Sequence, residues 1–392
     1  MTTTHTMESL FPEVLTVTRD FELYGSCKYK WFLQRCLRLT KYSYNNDLEA
    51  GSEFAAAMEV IRVAYYKGGM TEKQAVAFGV KHLLTNFGKS YAEADYQDDL
   101  KTPEKMAEVL ERMFHENSME DSTIAPFEMA DNELSVEQDF SIELPFEHPD
   151  TGKPLVLKGI LDMLGSRDGV IFGVDEKTCK SVLTDADKQA DLLRTSNQFV
   201  CYVNLANKNK EKFGGNEVTH FRVNKCKIKK NYSKTEQVVE GYEFLIDLWF
   251  QKTWWNNMLY QVEDMIKSYK KFCSIQMELD DDYKIMWDDE VLTEVAKEKL
   301  KDEVVFPRSY GNSCTLFFRP CIFTYHCTSG SAQDLLADGF QQIVNDNRTK
   351  GTTVPLHDWR KHLLNGVPLP EKEVITETTA SEVSLDDFLG TF

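Results

Sequence analysis

The sequence predicts an α/β fold on three observations. Strand texture is concentrated in one central stretch, from Leu134 to Lys180. An Asp-Gly pair, Asp168-Gly169, divides two apolar, β-prone runs within it. Segments with apolar residues at helical spacing stand before and after that stretch, so helices are expected to cover a sheet.

The elements follow in order. Leu23 to Leu39 is rich in aromatic and basic residues. A first helix is predicted from about Glu53 to Lys67, built from good helix formers. A second runs from about Pro103 to Glu116, where the fixed φ of proline suits the opening turn. Val136 to Leu144 alternates in part, and Pro149, Asp150 and Gly152 mark a turn. Leu155 to Gly165 and Val170 to Thr178 read as paired strands. Helical texture returns over Ala186 to Lys208, and a long, partly amphipathic segment covers Lys234 to Lys271. A cysteine-bearing loop, Cys314 to Cys327, is followed by two expected short helices and an acidic, Thr/Ser-rich tail. The division expected is a main domain over residues 1–332 and a smaller terminal part over 333–392.

Composition narrows the function. A chain of 392 residues with 42% apolar and 28% charged residues is globular in balance. No run of about eighteen apolar residues appears, so no membrane span is expected. The polar start lacks the plan of a signal peptide, which points to a cytoplasmic protein. The net charge of −18 weighs against a polyanionic partner overall, yet phosphate is bound by local lysines and arginines. Lys208 to Lys212, Lys225 to Lys234 and Lys267 to Lys271 are the basic stretches available, and solvated faces would explain each as readily.

The chemistry gathers at the hairpin. A two-residue Asp-Gly turn needs positive φ at both positions and sets Arg167 against Val170. Carried back along both strands, that register brings Asp162 opposite Asp175. Like charges so placed repel, and a divalent cation would turn the repulsion into attraction. Lys177 leaves the same face of its strand as Asp175, while Glu176 points the other way. Two carboxylates and an ammonium on one spot suit metal-assisted phosphodiester hydrolysis. Two aspartates at strand ends, one of them solvated, would be the structural alternative.

The wording around these residues resembles the RecB-like branch of the PD-(D/E)xK nucleases. Gly159-Ile-Leu-Asp162, Val174-Asp175-Glu176-Lys177-Thr178 and Gln198-x-x-x-Tyr202 stand in that branch's order. The resemblance implies a restriction-endonuclease-like mixed central sheet flanked by helices, with Asp162 and Asp175 holding Mg²⁺ or Mn²⁺. It also implies that Lys177, Gln198 and Tyr202 serve catalysis, and that the activity is that of a DNA exonuclease, with single-stranded ends as the expected substrate. Repair, recombination or replication in a bacterium, or in a virus infecting one, is the implied setting. Glu137 matches a further acidic position or is a surface glutamate. One departure stands out: the branch's G-x-x-x-H helix is here Gly51-Ser-Glu-Phe-Ala55, and alanine binds no metal. Either the site works with the remaining ligands, or Glu53 or Glu59 substitutes, or the activity is lost and a DNA-binding scaffold remains.

Nine cysteines without an export signal disfavour a disulfide framework. Tyr24-Gly-Ser-Cys27 and Cys314-x6-Cys321-x5-Cys327 are similar to the iron–sulfur subgroup of RecB-like nucleases, which takes in AddB-type and CRISPR-associated exonucleases. That resemblance implies a 4Fe–4S cluster on Cys27, Cys314, Cys321 and Cys327, joining the two ends of the domain. The first gap is wider than usual, with Phe318 where a cysteine is expected, and zinc takes the same four ligands. A zinc-stapled interaction protein is therefore a further alternative. Cys36, Cys179, Cys201, Cys226 and Cys273 read as buried small hydrophobes. The terminal Ser384 to Phe392, acidic and apolar by turns, suits docking on a replication or recombination protein.

Overall fold

In chain order the elements of the computed structural model are β1 (Val14–Thr16), a π-type turn (Val17–Phe21), α1 (Glu22–Ser26), α2 (Lys28–Trp31), a second π-type turn (Phe32–Cys36) and β2 (Leu39–Lys41). Three helices follow: α3 (Asn46–Tyr66), α4 (Glu72–Ala92) and α5 (Pro103–Glu116). Next come β3 (Ala125–Pro126), β4 (Val136–Glu147), β5 (Pro154–Arg167), β6 (Val170–Cys179), α6 (Ala186–Arg194) and α7 (Asn197–Lys208). A 3₁₀ turn (Lys210–Phe213), β7 (Val218–Lys227), β8 (Val239–Leu245), α8 (Leu248–Glu278), β9 (Phe340–Ile343) and β10 (Thr353–Pro355) complete the order. The structure describes residues 10–36, 38–41, 46–92, 100–120, 124–129, 134–180, 186–233, 236–278, 306–309, 314, 321–324, 327, 340–343 and 353–355. The acidic tail and the terminal docking segment lie outside the described residues.

The predicted hairpin forms as expected. Asp168 and Gly169 have φ of +51° and +79°, and Arg167 pairs with Val170. β5 is the axis of a seven-stranded mixed sheet. One edge of β5 carries antiparallel β4 and β3. The other edge is shared: parallel β1 takes Val156 to Lys158, and antiparallel β6 takes Met163 to Arg167. Between them, 159–162 of β5 pair with neither, so the sheet forks there. β7 runs parallel to β6, and antiparallel β8 closes the far side.

Alternation along β7 sorts the two layers of helices. Phe221 and Val223 join the core under α7, where Phe199 lies 4.8 Å from Phe221 between ring centroids. Cys226, on the opposite face, joins the core formed by α3, α4 and α5 and contacts Met113 at 3.8 Å. α5 opens as the sequence predicts, with Pro103 in the first turn and Thr102 capping the Lys105 N–H at 3.2 Å. Gly159 lets α7 approach β5, since a Cβ there would stand 2.8 Å from Leu205 Cδ1 and 3.0 Å from Tyr202 Cε1.

Several expectations need correction. The stretch from Lys234 to Lys271 divides into β8 and α8, because Asp247 caps the Phe250 N–H at 2.8 Å and starts the helix there. Helical texture over Ala186 to Lys208 breaks at Thr195 and Ser196 into α6 and α7. α4 and β7 were not marked by periodicity at all. Beyond residue 330 the described elements are strands, β9 and β10, in a small antiparallel sheet with β2; the two short helices expected there lie outside the described residues. Backbone pairing across 300 residues of separation brought them to that edge, which local texture does not encode. No helix among the described residues is long and apolar enough to cross a membrane.

The N-terminal turns are organised by Asp20, which is fully buried. Its carboxylate accepts from the Thr16 N–H at 2.7 Å, Trp31 Nε1 at 3.0 Å and Arg35 Nε at 2.8 Å. Tyr24 and Lys28 then tie these turns to α8, both donating to Asp264 at 2.6 Å. Arg35→Ala leaves Asp20 charged and buried, and is expected to destabilise the chain by about 3–5 kcal/mol in urea unfolding.

Candidate active site

The carboxylates meet at the fork. Past Met163–Val174 the β5–β6 ladder ends, so Asp162 and Asp175 are not a regular cross-strand pair as the hairpin register implied. Asp162 Oδ2 instead accepts the Glu176 N–H at 2.8 Å, bridging the gap with its side chain. Asp175 is fully buried, held from the other edge by the parallel pairing of β6 with Val223 of β7. Lys177 Nζ donates to Asp175 Oδ1 at 2.9 Å and stands 2.8 Å from Oδ2. Its hydrogen-bonding geometry serves Oδ1, and Oδ2 is buried with no hydrogen bond among the described residues.

Electrostatics follows from this crowding. Burial, then repulsion from Asp175 and Glu176, holds the Asp162 carboxyl well above the usual carboxylate range. Burial pushes Asp175 up to about 6 against the pull of Lys177. Burial alone would lower Lys177, but Asp175 and Asp162 outweigh it and keep the ammonium protonated. The buried, mutually repelling acids and an all-oxygen donor set fit a hard divalent cation such as Mg²⁺ or Mn²⁺.

Gln198 and Tyr202 share one face of α7, and Gln198 Nε2 donates to the Tyr202 hydroxyl at 3.0 Å. Burial raises the Tyr202 phenol, and the charges of Asp175, Lys177 and Asp162 all act on it. The motif helix is therefore at the fork, over Gly159. Glu22, on α1, comes from the other side: burial raises its carboxyl and Lys177 lowers it. No sequence signal marked Glu22.

Glu176 does point away, and it is more than a spacer. It forms a buried ion pair with Arg62 of α3, accepts from Asn224 Nδ2 at 3.4 Å, and so anchors β6 to the helical layer. A single sequence gave no reason to choose Arg62. On the same helix, Ala55 and Glu59 are one turn apart, and burial raises the Glu59 carboxyl. Glu137, set aside as ambiguous, is pushed up to about 7 by burial and by the charges of Glu59 and Glu176.

The four cysteines of the expected cluster are not brought together as a metal site among the described residues. Burial raises the Cys327 thiol, Arg308 lowers it, and Cys321, Cys27 and Cys314 add to the rise. Cys27 Sγ accepts from the Lys30 N–H at 3.4 Å, and the Cys321 N–H donates to the Cys314 carbonyl at 2.7 Å. Among the described residues, however, no group of three or more His, Cys, Asp or Glu side chains is arranged to hold a metal ion. Phe318 lies outside the described residues. The basic stretches are largely matched by acids or rings: Lys227 with Glu240 at 2.6 Å, Lys267 with Glu263 at 2.7 Å, and Lys208 4.1 Å from the centre of the Trp255 ring.

A family model described as the PD-(D/E)XK nuclease superfamily matches residues 15–327. Among solved structures, the chain is similar to an Eubacterium rectale protein named "Putative exonuclease", with 12% identity, a TM-score of 0.37, and coverage of 65% of this chain and 80% of that chain. No curated protein matches the chain.

A carboxyl raised by folding holds protons that the unfolded chain releases, so its stability contribution is lost as pH rises above the ordinary carboxylate range. In EDTA, Asp162→Asn is expected to raise Tm relative to the parent at about pH 8, because Asn still accepts the Glu176 N–H without the repulsion. The gain should shrink as pH falls and vanish below about pH 3, where the parent carboxyl is neutral in both states. Thermal scans of the two proteins across that range check it.

Proposed function

Since the chain belongs to the PD-(D/E)XK nuclease superfamily, we propose that it is a divalent-metal-dependent deoxyribonuclease acting as an exonuclease on DNA, with single-stranded ends as its first substrate. The observation that carries this is the meeting of Asp162, Asp175 and Lys177 at the fork, where burial and repulsion from Asp175 hold the Asp162 carboxyl raised. Asp162 and Asp175 would hold Mg²⁺ or Mn²⁺, which supplies polarisation of the phosphoryl oxygen and a lowered pKa for the attacking water. Lys177 stays protonated, so its role is electrostatic: its ammonium orients that water and offsets charge growing on the phosphoryl oxygens. It is not the general base. Gln198 and Tyr202, hydrogen-bonded to each other, present an amide and a hydroxyl to the DNA backbone beside the reacting phosphate.

A second reading, a silent DNA-binding scaffold, is favoured by Ala55 and by the acidic net charge of −18. One experiment separates the two. End-labelled single- and double-stranded DNA is incubated with the parent and with Lys177→Ala in Mg²⁺ or Mn²⁺. The expected outcome is cleavage by the parent, loss of about 10²–10³ in rate in the variant, and no cleavage in EDTA. A parent that binds DNA but cleaves neither form under any metal would replace the nuclease with the scaffold.

The four cysteines are proposed to hold a 4Fe–4S cluster. Support comes from the motif resemblance and from the action of Cys27, Cys314 and Cys321 on Cys327. Anaerobically purified protein is expected to carry iron and acid-labile sulfide, both lost in Cys27→Ser. Zinc without sulfide would instead identify a four-thiolate zinc staple.

A further inference from the structure

We propose that Lys225 forms a phosphate subsite beside the fork and holds the DNA phosphodiester next to the one being cleaved. This rests on the nuclease reading and deepens it by naming a residue that grips the neighbouring stretch of substrate backbone.

Register gives the first argument. Asp175 of β6 pairs with Val223 of β7, and two residues further on Lys177 pairs with Lys225. Strand alternation turns all four side chains to one face of the sheet. Neighbouring strands lie about 4.8 Å apart, so the two lysines leave the sheet side by side. Val223 is fully buried, whereas Lys177 keeps 41% of its side chain exposed and Lys225 is half-buried. The covered face therefore opens to solvent at this pair.

Charge gives the second argument. Like charges at directly opposed strand positions repel. Lys177 is compensated by Asp175, 2.8 Å away. Lys225 has no such acid: among the described residues it forms no ion pair, and its ammonium stands 6.0 Å from the centre of the Tyr242 ring. Glu240 is its cross-strand partner on β8, yet both oxygens of that carboxylate are engaged. Lys227 Nζ donates to Oε1 at 2.6 Å, and the Tyr242 hydroxyl donates to Oε2 at 2.5 Å. Burial lowers the Lys225 ammonium, and Cys179 and Glu240 restore it only in part, whereas Lys177 is raised.

A half-buried ammonium beside the reacting centre, without an acid of its own, calls for an anion. Lysine meets phosphate as a point charge with rotatable donors, and such a contact positions the backbone without reading a base. The anion that a nuclease brings to this place is its substrate's backbone. With Lys177 at the reacting phosphate, Lys225, one strand further out, meets the next one. Lys227 and Lys229 are less suited to the part, because Glu240 and Glu236 already hold them.

The test is binding of a dye-labelled single-stranded oligonucleotide to the full chain in Ca²⁺ over a salt series, beside steady-state cleavage in Mg²⁺. Lys225→Gln removes the charge and is expected to weaken binding at least about fivefold. The slope of log affinity against log salt should become shallower by about 0.7, the share of one phosphate contact. KM should rise while kcat stays within about twofold, since a contact kept from ground state to transition state is lost. Lys225→Arg should restore affinity and slope, and Lys229→Gln should leave both at the parent's values. Lys225→Met, of similar length, carries the same expectations should the amide disturb folding. An unchanged slope in a folded Lys225→Gln or Lys225→Met, or a loss confined to kcat, would overturn the proposal. If the parent cuts DNA while these variants bind as it does, only the Lys225 inference fails. A parent that neither binds nor cuts DNA removes the nuclease reading as well.

Discussion

Two carboxylates of like charge are held together where β5 and β6 part, and the fold around them tolerates that repulsion. The cost is visible in the raised carboxyls of Asp162 and Asp175. It is offset from several directions. Lys177 supplies an ammonium on the same strand face, the Glu176 N–H supplies a donor, and burial of Asp175 under α7 removes the option of turning outward. Because these groups are already fixed in place, no large rearrangement of the fold would be needed for a cation to reach them.

The rear of the sheet is built to resist the strain. Arg62 pairs with Glu176, Asn224 donates to Glu176, and Arg222 Nε donates to Asn224 Oδ1 at 2.8 Å. Arg222 continues to Glu243 at 2.8 Å, which also accepts from Arg167 at 2.7 Å beside the hairpin turn. One polar chain therefore runs from the helical layer to the hairpin, across β6, β7 and β8. Buried pairs of this kind contribute little net stability when intact, but removing one partner strands the other. Their value here lies in fixing β6, and with it Asp175 and Lys177, relative to α3. The N-terminal turns are fixed by the same means, through Asp20.

How far the site could be read in advance depended on sequence distance. Asp162, Asp175 and Lys177 lie within sixteen residues on one hairpin, so turn chemistry and strand alternation were enough to bring them together. Gln198 and Tyr202 were legible as a helical pair, while Gly159, which gives them room, had meaning only in the motif. Glu22, Arg62 and Asn224 could not be found this way. Each reaches the site from an element far along the chain, and an isolated glutamate, arginine or asparagine carries no periodic signal. Glu137 fell between these cases: its place on β4 was readable, but its left-handed backbone was not.

The sequence by itself determined the hairpin, its turn type, the three motif residues at its heart and the helix that opens on Pro103, because these depend on interactions a few residues apart. It also determined the membership of the family, whose model matches residues 15–327. Only the tertiary structure decided that β1 and β6 share one edge of β5, and that Asp162 lies in the gap between them. It decided as well that Asp162 bridges to Glu176 instead of facing Asp175 in register. Strand pairing across long separations is set by which apolar faces can be buried together, and a local pattern of residues does not contain that choice.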